Sequence, residues 1–161
     1  MVVFIISYTL GASMETGEEQ SSLIKKQFEE KVKNINELGI FQNNAAIALG
    51  MFIPGLGIGL GIFSGFGTGL VFSAMAATDT TLQNISPLAI LITPFGIMEV
   101  FSYGLAMSRS GILIYDLFIK KIPWRQFLKP TIIEITIVVV ILLVAAFIEW
   151  NMIKMFVGPT N

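Results

Sequence analysis

The chain has 161 residues, of which 54% are hydrophobic and only 13% are charged, and its mean hydropathy is +0.78. Soluble domains carry about 25% charged residues, so this composition predicts a membrane-embedded helical unit and excludes an ordinary soluble domain. The net charge of −1 and the lack of a basic stripe predict no nucleic-acid partner. Histidine and cysteine are absent, so thiolate chemistry, disulfides and the usual zinc sites are excluded. We therefore expect no catalytic residue, no metal, no cofactor and no enzymatic activity.

The first predicted span covers residues 1–13. A helix over Met1–Gly11 would reach only about 17 Å, whereas the hydrocarbon core of a bilayer is about 30 Å thick. We interpret the segment as a short or truncated span. A signal peptide is the alternative, although no lysine or arginine precedes the apolar run.

An amphipathic helix is predicted over residues 17–38, because apolar residues recur there at helical spacing: Ile24, Phe28, Val32, Ile35 and Leu38. Thr16 and Glu19 fit a capping box at its start. Six glutamates and four lysines lie between Met14 and Gly39. The helix is expected to lie on the membrane surface or on its own bundle, and docking of a partner is the alternative.

Residues 40–77 contain no charge and are too long for one ordinary span. We predict two spans, at about 41–62 and 67–78, with a turn near Ser64–Gly67. Glycines recur every fourth residue through this region, at Gly57, Gly61, Gly65 and Gly69. Small residues at this spacing predict close helix packing, and a ligand passage lined by backbone is the alternative.

A polar loop at 79–84 precedes a long apolar segment at 86–118, in which Pro94 and Gly96 predict a broken helix. Glu99 lies in a stretch that is free of other charges from Ile85 to Ser108. A carboxylate at this depth costs several kcal/mol unless it has a partner, a proton or water. It could pin two helices together, serve as a proton or cation site as in transporters with broken helices, or contact another subunit.

The partner of Glu99 must come from elsewhere in the bundle or be a bound cation, and Asn43, Asn44, Ser64, Thr68 and Tyr103 are candidates. The plainer interpretation of Asn43 and Asn44 is the polar start of a span. Buried amides that face Glu99 are the functional interpretation.

The loop at 119–130 is basic, with no acid, and Trp124 adds an interfacial aromatic ring. A last span follows at 131–156, and Glu149 near its end is expected to be solvated. The positive-inside rule predicts that the loop at 119–130 is cytoplasmic and that the helix at 17–38 is extracytoplasmic. The predicted fold is therefore an all-α, polytopic membrane helix bundle with about five transmembrane helices plus one amphipathic helix.

Three segments in this order resemble the stage II sporulation protein M family: Phe41–Asn44, Pro94–Glu99 and Ala145–Glu149. The family pattern has an Asn-Asn pair, a Pro-His-Gly-Ile-x-Glu core and an Ile-Glu near the end. Phe95 replaces the histidine here. The resemblance implies a five-span membrane protein of a kind found in bacteria and archaea, in most cases without a defined activity. The namesake acts as a membrane component with wall-remodelling proteins, but sporulation itself does not follow from the name.

We expect a non-catalytic accessory or scaffold subunit of a larger membrane complex in the cell membrane. Its expected partners are other integral membrane subunits or a second copy of itself, together with the lipid bilayer. The alternative is a small transporter or channel component that uses Glu99 as a proton or ion site. An intramembrane enzyme based on carboxylates is the third interpretation, and it is disfavoured because it needs a second acid beside Glu99.

Overall fold

The computed structural model describes residues 1–33, 35–78 and 84–157, and every regular element in these ranges is helical. Asn34 and residues 79–83 of the polar loop predicted at 79–84 lie outside them. The all-α prediction is confirmed. The helices are α1 (Val2–Ala12), α2 (Glu18–Val32), α3 (Glu37–Met51), α4 (Gly57–Thr78), α5 (Pro87–Leu91), α6 (Pro94–Ile114) and α7 (Arg125–Val157), and a π-helical turn (Tyr115–Ile119) continues α6.

The turn in the uncharged run does not lie where the sequence predicted it. Ser64–Gly67 is inside α4, and the chain instead turns between Met51 and Gly57. Pro54 lies in this turn, where the missing N–H of proline does not interrupt a helix, and Gly55 adopts a positive φ of 90°. The expected boundaries at 41–62 and 67–78 are therefore wrong. All four glycines of the ladder lie on one helix.

The amphipathic segment is shorter than predicted, and its expected cap is absent. Gly17 precedes α2 without a side-chain capping bond, and the Thr16 hydroxyl lies 2.7 Å from the Ser21 hydroxyl instead. The helix ends at Val32. Asn36 begins the next helix, because its side-chain oxygen accepts a hydrogen bond from the Gly39 N–H at 2.9 Å.

The predicted break at Pro94 is confirmed. The short helix α5 ends at Leu91, and Thr93 caps α6 by accepting a hydrogen bond from the Gly96 N–H at 3.1 Å. Pro94 occupies the first turn, where its lack of an N–H costs nothing. A Cβ at Gly96 would collide with the Ile90 carbonyl, so glycine is what lets α5 fold back onto α6.

The two halves of the glycine ladder pack α4 against two different helices. At its start, Gly57 lies against Ser110 and Gly61 lies against Met107, so α4 runs antiparallel to α6. Further along, Gly65 contacts the backbone of Phe4 and Gly69 contacts the backbone of Tyr8, so α1 runs parallel to α4. Helix α7 packs along α3 and α6 and completes the bundle.

Two of the described helices are long and apolar enough to cross a bilayer, by length and composition: Gly57–Thr78 and Arg125–Met155. In the most apolar 18-residue stretch of each helix, only 28% and 22%, respectively, is buried inside the protein. The core helix of a soluble protein would bury most of such a surface, whereas a helix in lipid exposes it. The outward-facing side chains include Phe63, which is 77% exposed.

Candidate functional site

A cavity of about 400 Å³ lies among α1, α3, α4, α6 and the last part of α7, and α2 and α5 also contribute to its wall. Its wall is mostly apolar. Besides tyrosine hydroxyls, the polar side chains on the wall are Asn43, Asn44, Ser64, Thr68, Glu99 and Glu149. Phe95, at the position of the histidine in the family pattern, also lines it. The cavity wall thus includes residues from Phe41–Asn44, Pro94–Glu99 and Ala145–Glu149, three segments that are far apart in the sequence.

Glu99 has its hydrogen-bond donor on another helix, as expected. The Asn44 Nδ2 atom donates to Glu99 Oε1 at 2.6 Å, and Asn43 Nδ2 donates to the Asn44 side-chain oxygen at 3.2 Å. The asparagines lie inside α3, and Asn36 caps that helix. The plainer interpretation of the pair, as the polar start of a span, is therefore wrong. The amide at Asn44 joins α3 to α6 through the Glu99 carboxyl.

Glu149 is not at a solvated helix end. Helix α7 has 33 residues, about 50 Å in length, and it continues to Val157, so Glu149 lies two turns before its end. The side chain lines the same cavity as Glu99. Its Oε2 atom is buried and has no hydrogen-bond partner among the residues that the structure describes. Both carboxyl groups therefore lie on the wall of one cavity, so the expectation of a single deep acid is wrong.

Aromatic rings form a large part of the cavity wall. The sequence interpretation expected Tyr103 near Glu99 and gave the other rings no place in the site. The aromatic side chains on the wall are Phe4, Tyr8, Phe28, Phe72, Phe95 and Tyr103. The rings of Phe4 and Tyr103 lie with centroids 5.3 Å apart at 43°, and the Tyr8 hydroxyl donates to the Pro87 carbonyl at 2.8 Å. The available signal was the spacing of four residues from Glu99 to Tyr103, which places both on one helix face.

The profile described as Stage II sporulation protein M matches residues 1–151 of the 161. The chain belongs to this family. No curated protein and no solved structure matches it. The matched range includes Asn44, Glu99 and Glu149. Family membership and the two long apolar helices together point to a membrane protein.

An ion pair in this sporulation protein M family member lies outside the cavity. Arg109 on α6 donates through Nε to Glu134 Oε2 at 2.6 Å and through Nη2 to Glu134 Oε1. The two side chains are only 11% and 21% exposed. The pair ties α6 to the start of α7. Sequence reasoning missed it, although both residues are charges set in apolar surroundings.

None of the four ladder glycines lines the cavity. Their positions against α1 and α6 are those of close helix packing, and the passage alternative has no support from them. The residues of α4 that line the cavity include Ser64, Thr68 and Phe72 instead. One side of α4 thus packs the bundle while another faces the cavity.

Proposed function

We propose that this protein is a non-catalytic accessory subunit of a larger membrane complex. The observation that carries the proposal is the length of α3. This helix has 15 residues, which correspond to about 22 Å. It does not reach across a hydrocarbon core of about 30 Å, and a short segment is accommodated by a thinner bilayer or by association with other helices.

The outer surface of α1 also supports an interaction with another membrane protein. Its exposed apolar side chains are Val2, Val3, Ile6 and Leu10, with 46% to 69% of each accessible. A neighbouring helix on this surface would extend the apolar wall beyond the end of α1. The proposed partners are other integral membrane subunits or a second copy of the chain.

We also propose five crossings in the cell membrane, with the basic segment at 119–130 in the cytoplasm and α2 outside. The loop predicted over this segment is shorter than expected, because α7 begins at Arg125. The helix directions support this topology. Helices α1 and α4 are parallel, α6 is antiparallel to α4, and the Asn44–Glu99 and Ser110–Ile53 contacts make α3 parallel to α6. Helix α7 passes Arg109 at Glu134 and the Glu99 cavity at Glu149, so it is antiparallel to α6. This alternation suits successive crossings and agrees with the basic loop.

The proposal of a non-catalytic role rests on the side chains of the whole chain. Histidine and cysteine are absent, so neither imidazole nor thiolate serves as a base or a nucleophile. Two carboxyls do line the cavity. Glu99 is held by the Asn44 amide, and holding two helices together accounts for that contact without a reaction.

The test is purification of the tagged full chain from its native membrane in a mild detergent, followed by native mass spectrometry. We expect a complex of fixed stoichiometry that contains larger membrane subunits. Ile6→Trp should displace a partner from α1, whereas Val140→Trp, at a side chain of similar exposure on α7, should leave the complex intact. A monomer from the wild-type chain, or equal effects of the two variants, would contradict the proposal.

The cavity favours a second candidate function, a transporter or channel component with an ion or proton site at Glu99. The supporting observation is the second carboxyl at Glu149 on the same wall. Flux measurements on proteoliposomes test it. Glu99→Gln should abolish flux, and Glu30→Gln, at an exposed position on α2, should not. Equal flux in both variants and in empty liposomes would overturn this candidate.

A further inference from the structure

Acidic side chains on the cavity wall have no basic side chain beside them on that wall, among the residues that the structure describes. Two carboxyl groups, those of Glu99 and Glu149, lie on this wall, and no lysine or arginine lines the cavity in the described part of the chain. The Asn44 amide satisfies one oxygen of Glu99. The Oε2 atom of Glu149 is buried and has no hydrogen-bond partner there. A buried acceptor of this kind costs about 1–3 kcal/mol unless a donor reaches it.

The rest of the wall determines what kind of donor would fit. Six aromatic side chains line the cavity, and aromatic rings attract cations, because the ring quadrupole is negative above and below its plane. Calcium and magnesium need six or more oxygen ligands, mostly from carboxylates, carbonyls and water. The described residues contain no group of three or more acidic side chains that could hold a metal ion. The wall is mostly apolar, which suits a cation with a hydrocarbon body better than a hydrated metal.

The volume agrees with a small organic molecule. Ligand pockets usually measure about 300–1,000 Å³, and this cavity, at about 400 Å³, lies at the small end of that range. We infer that the cavity binds a small organic ammonium ion, with its charge between Glu99 and Glu149 and its hydrocarbon part against the aromatic rings. A primary amine could also donate a hydrogen bond to the carboxyl groups on the wall, which a quaternary ammonium ion cannot do.

The inference deepens the second candidate function and rests on its premise that the Glu99 site takes a cation. It is independent of the accessory role, since binding is measured on the purified chain alone. Binding without flux would leave the inference standing and remove the transport function. Loss of partners would affect only the accessory role.

The experiment is calorimetric titration of the purified full chain in detergent micelles with n-butylammonium chloride and with tetramethylammonium chloride. Sodium chloride at the same ionic strength is the reference. We expect saturable binding of n-butylammonium and no saturable binding of sodium. Glu149→Gln should weaken n-butylammonium binding at least tenfold. Because Glu149 Oε2 has no partner to lose, this variant is expected to fold, which Glu99→Gln does not guarantee.

Two further variants separate the cavity from surface charge. Phe95→Leu keeps the wall apolar and removes one ring, so it should weaken tetramethylammonium binding several-fold. Glu30→Gln removes an exposed carboxyl on α2 and should leave both affinities unchanged. Equal heats for sodium and the amines, or an equal loss in Glu30→Gln and Glu149→Gln, would overturn the inference.

Discussion

Asn44 and Glu99 are 55 positions apart in the chain, and their side chains meet at 2.6 Å. The Asn44 side-chain nitrogen on α3 donates to the Glu99 carboxyl on α6, at the wall of a mostly apolar cavity. Either side chain alone would be a costly polar group at this depth, because its hydrogen-bonding capacity would go unused. Together they satisfy each other in part and set the position of α3 against α6.

Replacing Asn44 should therefore destabilise the bundle. Asn44→Leu leaves the Glu99 carboxyl without its donor, and we expect a loss of about 1–3 kcal/mol in the free energy of unfolding. The measurement is unfolding in mixed micelles. Gln42→Ala removes an exposed amide from the same helix and should change stability by less than about 0.5 kcal/mol. Similar losses in the two variants would show that the Asn44–Glu99 contact contributes little.

Removing one member of the Arg109–Glu134 pair should lower the free energy of unfolding strongly, whereas replacing both members with apolar residues should lower it little. Arg109→Leu leaves Glu134 without its cation, and we expect a loss of about 3 kcal/mol or more. The double variant Arg109→Met, Glu134→Leu should recover most of this loss, because it buries no unpaired charge. Unfolding free energies of the single and double variants provide the measurement.

The exposed Lys25–Glu29 pair is the control for this prediction. Its atoms are 3.9 Å apart, and its side chains are 31% and 61% exposed. Lys25→Gln should change stability by less than about 1 kcal/mol. If the double variant at Arg109 and Glu134 were as unstable as Arg109→Leu, the charge-pair explanation would be incorrect.

Two glycines of α4 should respond differently to the same substitution. A Cβ at Gly61 would collide with the Met107 side chain, whereas a Cβ at Gly59 meets nothing within 4 Å. Gly61→Leu should destabilise by about 1–3 kcal/mol or more through overpacking, and Gly59→Leu should be nearly neutral. The midpoint of thermal unfolding in detergent distinguishes them. Equal midpoints would contradict the close approach of α4 and α6.

The proposed topology predicts opposite labelling of two glutamines. Gln27 on α2 and Gln126 at the start of α7 are both exposed, and the chain has no cysteine that would react in the background. In right-side-out vesicles, a membrane-impermeant maleimide should label Gln27→Cys and spare Gln126→Cys. Both variants should be labelled after the vesicles are permeabilised. Labelling of both sites in intact vesicles would contradict the topology.

Local chemistry made several elements predictable. The break before α6 could be placed from sequence, because it depends on the backbone preferences of neighbouring residues. Pro94 favours the first turn of a helix, and Thr93 caps that turn by accepting from the Gly96 N–H. The turn after α3 was placed wrongly, because Gly65 and Gly67 were treated as turn residues. Glycine also occurs where helices approach closely, and Gly65 lies against the backbone of Phe4. The residues next to Gly65 in the sequence do not show whether it lies in a turn or at a close contact between helices.

Glu149 was misplaced for a different reason. Its depth depends on where α7 ends, and the apolar pattern weakens near Trp150 although the helix continues to Val157. The direction of its side chain depends on how α7 is rotated against α6. Periodicity places residues on a face of a helix, but the neighbour of that face is determined by packing.

The sequence by itself determined the membrane character, the helical class, the exclusion of imidazole and thiol chemistry, and the break at Pro94. These properties follow from composition and from short-range backbone preferences, which act within a few residues. Only the tertiary structure decided that Asn44, Glu99 and Glu149 share one cavity and that Arg109 pairs with Glu134. Those relationships depend on the relative rotation and register of separate helices, which no single segment encodes.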